Sequence, residues 1–224
     1  MKKDFASLLR RLLPVAAAVA AHFALYYLPK LILGSTPLIE KSSAIDRAIP
    51  FVPFFIVFYI GAYIQWGLYY LRLFRADGGT RGAFLAPEIL GKLVCAVLFV
   101  VFPITLARPE VTGSGVFAWA TRIIYAADTP MCLFPSIHCL QSYLTMRCVC
   151  RTDPRPWRKA LSVVFSVGVF LSTVLVKQHL FADVVGGILL AELCLRIAPL
   201  LHLPEAFTRL TDGLASRLCR RKNS

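Results

Sequence analysis

The segment KQHLFADVVGG, residues 177–187, places four polar side chains beside one of the most apolar parts of the chain. His179 and Asp183 are four residues apart, so on a helix they share one face and the carboxylate can accept the proton of one ring nitrogen. The other ring nitrogen is then free and basic, which suits a nucleophile or a general base. The spacing therefore predicts a reactive histidine oriented by its own aspartate.

Two further segments carry side chains that suit chemistry on an anion. His138, in FPSIHC, can donate a proton to a leaving oxygen because the ordinary pKa of histidine is about 6.5. Arg108, in ARPE, offers a fork of donors to an anion with several oxygens, and Lys177 offers a point charge. Pro135 and Ser136 would begin a helix whose free N–H groups and serine hydroxyl face the same anion. These types predict phosphoryl transfer without a metal or another cofactor.

The composition of the chain is that of a membrane protein. Of 224 residues, 58% are hydrophobic, and the mean hydropathy is +0.67. The net charge of +13 would also suit a nucleic-acid partner, but basic residues beside long apolar runs more often mark the ends of membrane helices. Seven cysteines lack the paired spacing of a zinc or redox site. We therefore expect an integral membrane protein that contacts membrane lipids and binds no nucleic acid.

Six stretches approach the length of about 20 apolar residues that crosses a bilayer. They are residues 12–33, 50–71, 86–106, 132–150, 159–176 and 180–201. Because the connections between them are short, the sequence predicts a single domain over residues 1–224. The expected fold class is all-α, a polytopic bundle of six transmembrane helices.

The distribution of lysine and arginine predicts the orientation of this bundle. On one side of the alternating spans lie Lys2, Lys3, Arg10, Arg11, Arg72, Arg75, Arg81, Lys92, Arg147, Arg151, Arg155, Arg158, Lys159, Arg209, Arg217, Arg220, Arg221 and Lys222. On the other lie only Lys30, Lys41, Arg47, Arg108, Arg122 and Lys177. Both termini should therefore be cytoplasmic, in what we expect to be a bacterial plasma membrane. Arg108, His138 and His179 then meet at the outer face, and polar groups at such depth usually mark function.

Three stretches, ARPE, FPSIH and STVLVKQHLFAD, resemble the signature motifs of the type 2 phosphatidic acid phosphatase superfamily, K-x6-R-P, P-S-G-H and S-R-x5-H-x3-D. The resemblance implies a six-helix membrane enzyme that acts on a lipid phosphate. It implies that His179 is the phosphate-accepting nucleophile, that Asp183 orients it and that His138 is the acid for the leaving group. It also implies that phosphate is held by Arg108, Ser136 and Ser172.

The chain departs from those motifs at three positions. Val101 stands in place of the first lysine, Ile137 in place of the glycine and Thr173 in place of the arginine. Two motif cations are thus missing, and Lys177, two residues before the reactive histidine, is expected to replace one of them. The sequence KQH before x3-D is similar to the inositol phosphorylceramide synthase branch, whose members transfer a phospho-headgroup between lipids.

Three functions follow as hypotheses. In a phosphatase, His179 attacks phosphorus, His138 protonates the departing oxygen, and water then hydrolyses the phosphohistidine. With a lipid alcohol as acceptor, the same route gives a phosphotransferase. A non-catalytic lipid-binding protein on the same scaffold is favoured by the missing cations, but the retained histidines and Asp183 argue against it. We favour the phosphatase, which is the commoner activity of the superfamily and needs no second lipid pocket. Its substrate is left open between phosphatidate, phosphatidylglycerol phosphate, a polyprenyl diphosphate and a sphingolipid precursor.

Three smaller features of the sequence have ordinary structural interpretations. Trp66, Tyr69 and Tyr70 are typical of an aromatic belt at the membrane interface. Gly186 and Gly187 should permit close helix packing. The closing stretch SRLCRRKNS has the composition of a disordered tail.

Overall fold

A computed structural model describes residues 2–221 of the chain, with side chains over residues 5–220. Within this range the protein is all-helical, as expected, with nine α-helices. They are α1 (Lys2–Leu33), α2 (Ala44–Ala48), α3 (Ile56–Arg75), α4 (Gly78–Val101), α5 (Val116–Ala127), α6 (Ile137–Thr152), α7 (Pro156–Leu175), α8 (Phe181–Leu200) and α9 (Leu203–Arg221). A short 3-10 turn, Pro53–Phe55, precedes α3, and two-residue strands β1 (Ile39–Glu40) and β2 (Ile104–Thr105) pair in parallel.

Each of the six predicted stretches overlaps one α-helix, but several of the boundaries differ clearly. α4 begins at Gly78 because the Asp77 side chain caps it, accepting the Thr80 N–H at 2.8 Å. The predicted end at residue 106 is wrong, since α4 stops at Val101 and residues 104–105 form β2. The predicted start at residue 132 is also wrong, because Ser136 is the N-cap of α6.

The long helices alternate in direction, which divides the bundle into two ends. At one end the Tyr26 hydroxyl of α1 donates to the Asp128 carboxylate at 2.8 Å, and the Ser136 N–H donates to the Asp183 carbonyl at 3.0 Å. We call this the histidine end. At the other, Arg72 of α3 forms an ion pair with Asp153 between α6 and α7, with an N–O distance of 2.9 Å. We call this the arginine end.

Four helices among the described residues are long and apolar enough to cross a membrane, namely α1, α3, α4 and α7. α8 and α9 form a fifth candidate if they act as one span bent by 73°. The fourth predicted span, residues 132–150, corresponds to α6, whose 16 residues extend only about 24 Å and include many polar side chains. The structure therefore supports a helical membrane protein with four or five candidate spans, and the sixth span and the orientation stay predictions.

α6 is the central helix and is packed by α3, α4, α7 and α8. Its buried Ser142 accepts the indole N–H of Trp66 at 3.0 Å, and its carbonyl accepts the Ser166 hydroxyl at 3.1 Å. Tyr69 is also buried, with 1% of its surface exposed. The predicted interfacial aromatic belt is therefore wrong: these rings pack inside the bundle, where Trp66 satisfies a polar group of α6.

Lys92 was assigned to the cytoplasmic set, and this assignment is wrong. Its side chain is fully buried within α4 and pairs with Glu88 one turn earlier at 2.5 Å. The Tyr70 hydroxyl donates to the same carboxylate at 2.6 Å. The charge of Lys92 is thus met inside the bundle and gives no information about orientation.

α9 turns back after Leu200 and packs on α1 and α4. Thr211 and Ala215 face this contact and are buried. The predicted disorder is therefore wrong for residues 216–221, because they form the end of α9, which tertiary contacts hold in place. Residues 222–224 of that prediction lie outside the described residues.

Candidate active site

The link between α7 and α8 positions His179. The Gln178 N–H donates to the Thr173 carbonyl at 2.9 Å and the Lys177 N–H donates to the Val174 carbonyl at 3.2 Å. This pair of bonds forms a Schellman motif, and Lys177 has the left-handed conformation that the motif requires, with φ of +49°. The chain therefore reverses sharply after α7, and His179 lies in the reversal just before α8.

His179 contacts Asp183 as the spacing predicted. The distance between His179 Nδ1 and Asp183 Oδ2 is 3.3 Å, and the same oxygen accepts the Leu180 N–H at 2.8 Å. Asp183 is 1% exposed and His179 is 9% exposed. When Nδ1 carries the proton that faces the carboxylate, Nε2 is left as the free basic atom.

His138 lies in the first turn of α6, with its ring centre 5.9 Å from that of His179. It stacks on Tyr59 at 4.3 Å between ring centres and lies 5.0 Å from Trp66. Its Nε2 atom is buried and has no hydrogen-bond partner within the part of the chain described. The sequence did contain a signal for the aromatic rings around His138, which we missed. Tyr59, Tyr63 and Trp66 follow the i, i+4, i+7 spacing of residues on one helix face.

Arg108 reaches the same place from the segment after β2. Its guanidinium donates to the Gln178 side chain and to the Asp128 backbone carbonyl, each at 2.6 Å. Its Nε is buried without a partner among the described residues, and the group lies 4.6 Å from the centre of the Tyr125 ring. Burial lowers the pKa of Arg108 from its ordinary value, while Tyr125 and Asp128 oppose this. Arginine nevertheless stays charged at neutral pH.

The two predicted serines differ in their placement. Ser136 is fully buried at the start of α6, where its hydroxyl accepts the Cys139 N–H at 3.3 Å. Ser172 is buried inside α7, and its hydroxyl donates to the Val169 carbonyl of the same helix at 2.7 Å. Ser136 is thus two residues before His138, whereas Ser172 lies within α7, and neither serine lines the small cavity between the two histidines.

The structure does not bring the Lys177 ammonium group to the histidines. It donates to the backbone carbonyls of Asp46 and Ile49, at 2.7 and 2.5 Å. The Asp46 carboxylate in turn accepts the Phe181 N–H at the start of α8 at 2.7 Å. Partial burial lowers the pKa of Lys177, and the Asp46 charge opposes this. Lys177 therefore fastens α2 to the α7–α8 turn, and its predicted contact with phosphate stays a prediction.

A small cavity lies between these groups, with a volume of about 20 Å³. Its wall includes His138, His179, Arg108, Gln178 and Tyr59. This volume holds about one water molecule. A phosphate group needs more room, so the cavity must open to admit one.

Two side chains that the motifs did not indicate, Tyr26 and Asp128, also line the cavity. Asp128 lies on the cavity wall and forms an ion pair with Lys30 at 2.6 Å. The Tyr26 hydroxyl donates to both oxygens of the same carboxylate at 2.8 Å. Lys30 and Tyr26 are one turn apart in α1, so this helix supplies a cation beside the cavity.

Among residues 5–220, no three side chains of histidine, cysteine, aspartate or glutamate are grouped so that they could hold a metal ion. The charged groups of the site are instead one arginine, one aspartate next to a histidine, and the Lys30–Asp128 pair. Such a set can bind an anion through Arg108 and present a basic ring nitrogen to it.

The protein is thus a helical bundle with membrane-length helices that carries a histidine–aspartate pair, a second histidine and an arginine at one end. The chain is a member of the PAP2 superfamily, whose sequence model matches residues 55–197. This match spans α3 to α8 and contains all three motifs that carry the resemblance, which is thereby confirmed. Neither the curated proteins nor the solved structures gave a match. Members of this superfamily are generally phosphatases or phosphotransferases, which supports a lipid-phosphate function in general.

Proposed function

We propose that this protein hydrolyses a phosphate or diphosphate lipid through a phosphohistidine intermediate at the outer face of the membrane. One observation carries the proposal: the His179–Asp183 pair, His138 and Arg108 come from three separate segments and surround one cavity. A structural role would not require two histidines with free ring nitrogens at this depth.

In the first step, Nε2 of His179 attacks phosphorus and the bond from phosphorus to the lipid oxygen breaks. His138 donates its proton to that oxygen, so the lipid leaves as an alcohol or a monophosphate. Asp183 holds the proton on Nδ1 of His179 and stabilises the positive charge that the ring acquires.

In the second step, His138 is neutral and accepts a proton from a water molecule. The water oxygen attacks phosphorus, the P–N bond breaks and phosphate leaves, which restores His179 as a neutral ring. The space for about one water molecule beside both histidines supports water as the acceptor.

Arg108 is the cation that the proposal assigns to the phosphate oxygens. Among the described residues, its Nε has no partner and its Nη2 donates only to a neutral amide, so both can turn to an anion. Ser136 and the first N–H groups of α6 would face the same anion. Ser172 and Lys177 were expected in this role, but their hydroxyl and ammonium groups bond backbone carbonyls elsewhere, so they contribute by holding α7 and the α7–α8 turn.

We also propose that the whole chain forms one domain of six spans, with α6 as the short central span and both termini in the cytoplasm. The arginines at the end opposite the histidines support this orientation, which follows the positive-inside rule.

The deciding experiment uses purified protein in detergent on a panel of lipid phosphates, with released phosphate and lipid products both measured. We expect phosphate release that persists in excess chelator and is lost in His179→Ala. Transfer of the phospho-group to a second lipid, without release, would replace the phosphatase by the phosphotransferase. No turnover of any lipid phosphate would leave the lipid-binding alternative.

A further inference from the structure

The arginine end holds a second, larger cavity, about 550 Å³ in volume, between α1, α4 and α9. This size lies within the range of about 300–1,000 Å³ that is usual for ligand sites. The two cavities share no residues and lie at opposite ends of the bundle. We call this second cavity the arginine cleft.

Three arginines converge on the arginine cleft. Arg10 and Arg11 come from α1 and are exposed, while Arg81 comes from the first turns of α4 and is only 6% exposed. Arg81 donates one bond, from Nη2 to the Ala76 carbonyl at 3.0 Å. Its Nη1 is buried and has no partner, and none of the three arginines forms an ion pair with the side chains of residues 5–220. A buried guanidinium with a free donor is costly unless an anion meets it.

The acidic groups of the arginine cleft act on Arg81 only from a distance, because neither Asp77 nor Asp212 forms an ion pair with it within residues 5–220. Both oxygens of the Asp77 carboxylate accept bonds from Thr80, one from its N–H at 2.8 Å and one from its hydroxyl at 2.6 Å. Asp212 lines the cleft but makes no ion pair with Arg81 within the described part of the chain. Three arginines against two carboxylates, one of them engaged in a helix cap, leave the cleft positive.

The walls of the arginine cleft also include apolar side chains. Pro14 and Phe207 line it beside the arginines. α4 and α9 pack closely at Gly82. A Cβ atom there would lie 2.6 Å from the Thr208 hydroxyl oxygen and 2.8 Å from the Pro204 carbonyl oxygen. Basic pockets between membrane helices are a known setting for phosphorylated lipid headgroups.

We propose that the arginine cleft binds a phosphate group, carried by the headgroup of an anionic lipid or present as free phosphate. Arg81 meets the phosphate from within, and Arg10 and Arg11 close over it from α1. Binding would tie the start of α1 to α4 and α9, and therefore stabilises the bundle without entering the candidate active site.

The test is thermal unfolding of the full chain in detergent, titrated with phosphatidylglycerol, with phosphatidylcholine or with inorganic phosphate. For an occupied cleft we expect phosphatidylglycerol to raise Tm by about 5 °C in a saturable manner, and phosphatidylcholine to have no effect. A matching rise with inorganic phosphate would assign the free ion as ligand, and its absence assigns the lipid headgroup.

Four variants test whether the rise in Tm comes from binding in the arginine cleft. Arg81→Gln and the exposed pair Arg10→Gln with Arg11→Gln should each weaken the apparent affinity about tenfold or more. The exposed Arg151→Gln, at the same end, and Arg108→Gln, in the candidate active site, should leave it unchanged. An equal rise in all four variants, or no rise in the wild type, would overturn the proposal. Because Arg108→Gln separates the two sites, this result is independent of the phosphatase activity.

Discussion

At the scale of single residues, His179 is defined by where its two nitrogens lie. Nδ1 is held 3.3 Å from Asp183, whose carboxylate is fixed by the Leu180 N–H. Nε2 remains free beside the cavity, whose wall also includes His138 and Arg108. The two residues of the pair thus have different roles, and substituting them should have different effects.

We expect His179→Ala to lower kcat about 10⁴-fold or more, because the atom that bonds phosphorus is removed. Asp183→Asn should leave residual turnover, since the ring remains but loses its orienting charge. Initial rates of phosphate release give both values. His202→Asn, at an exposed histidine far from the cavity, serves as the control and should retain wild-type rates. Hydrolysis close to normal in His179→Ala would disprove the mechanism.

Lys177 is the residue at which the motif-based expectation and the observed contacts differ. If its ammonium group served phosphate, Lys177→Ala would lower kcat/KM about a hundredfold. Its bonds to Asp46 and Ile49 instead lead us to expect a lower Tm and a kcat within about threefold of wild type.

Lys177→Gly provides a second variant, because glycine suits the left-handed conformation at this position. We expect it to be more stable than Lys177→Ala and equally active. If both variants lost about a hundredfold in kcat/KM at unchanged Tm, the lysine would be a phosphate ligand after all.

At the scale of elements, the site depends on how closely α8 approaches the start of α6. A Cβ atom at Gly187 would lie 2.4 Å from the Ser136 carbonyl oxygen and 3.1 Å from the Cys139 Cβ. Only glycine allows this approach, which brings the Asp183 carbonyl to the Ser136 N–H. The predicted packing role of Gly187 is therefore confirmed, and the close approach lies at the start of α6, the helix that carries His138.

Gly187→Ala should destabilise the protein by about 1–3 kcal/mol and strongly reduce activity, because α6 and α8 must separate. Gly67→Ala is the matched control, since Gly67 is also helical and has no atom within 4 Å of a new Cβ. That variant should be neutral or more stable by up to about 1 kcal/mol. Thermal unfolding and rates measured on both proteins test this, and equal behaviour of the two glycines would contradict it.

The contact of α1 with the α5–α6 connection makes a second prediction. Lys30 neutralises Asp128 on the cavity wall, so Lys30→Gln leaves a carboxylate that repels the incoming phosphate. We expect KM to rise about tenfold with little change in kcat. The control is Lys41→Gln, which removes the same charge from an exposed lysine after β1. An unchanged KM in Lys30→Gln would show that the ion pair does not affect binding.

At the scale of the whole molecule, the alternation of helices separates two chemically different ends. The histidine end carries the proposed reaction, and the arginine end carries the arginine cleft together with most of the exposed arginines. An end rich in arginine is favoured on the cytoplasmic side, where anionic headgroups attract it.

Labelling of single introduced cysteines tests this orientation in intact cells with a membrane-impermeant maleimide. Lys41→Cys, near the histidine end, should react before permeabilisation, and Arg155→Cys, at the start of α7, should react only afterwards. The wild-type protein gives the background from its own cysteines. The reverse pattern would place the histidines in the cytoplasm.

The sequence by itself determined the features that depend on local spacing and on composition. Apolar runs predicted an all-helical membrane protein, of which the structure supports four or five candidate spans, since a membrane helix must cover its backbone with apolar side chains. The four-residue spacing in KQHLFAD paired His179 with Asp183, because a helix start brings such residues together. The ordered motifs identified the superfamily, which the family match confirmed.

Only the tertiary structure decided which distant groups meet. Lys92 and Trp66 look like interfacial residues in sequence, yet Glu88 and Ser142 satisfy them inside the bundle. Lys177 lies two residues from His179, but the left-handed turn between them sends its side chain to α2. Lys30 is far from the motifs in sequence and reaches the cavity through Asp128. In each case the partner comes from another helix, so the outcome depended on packing that local sequence spacing does not determine.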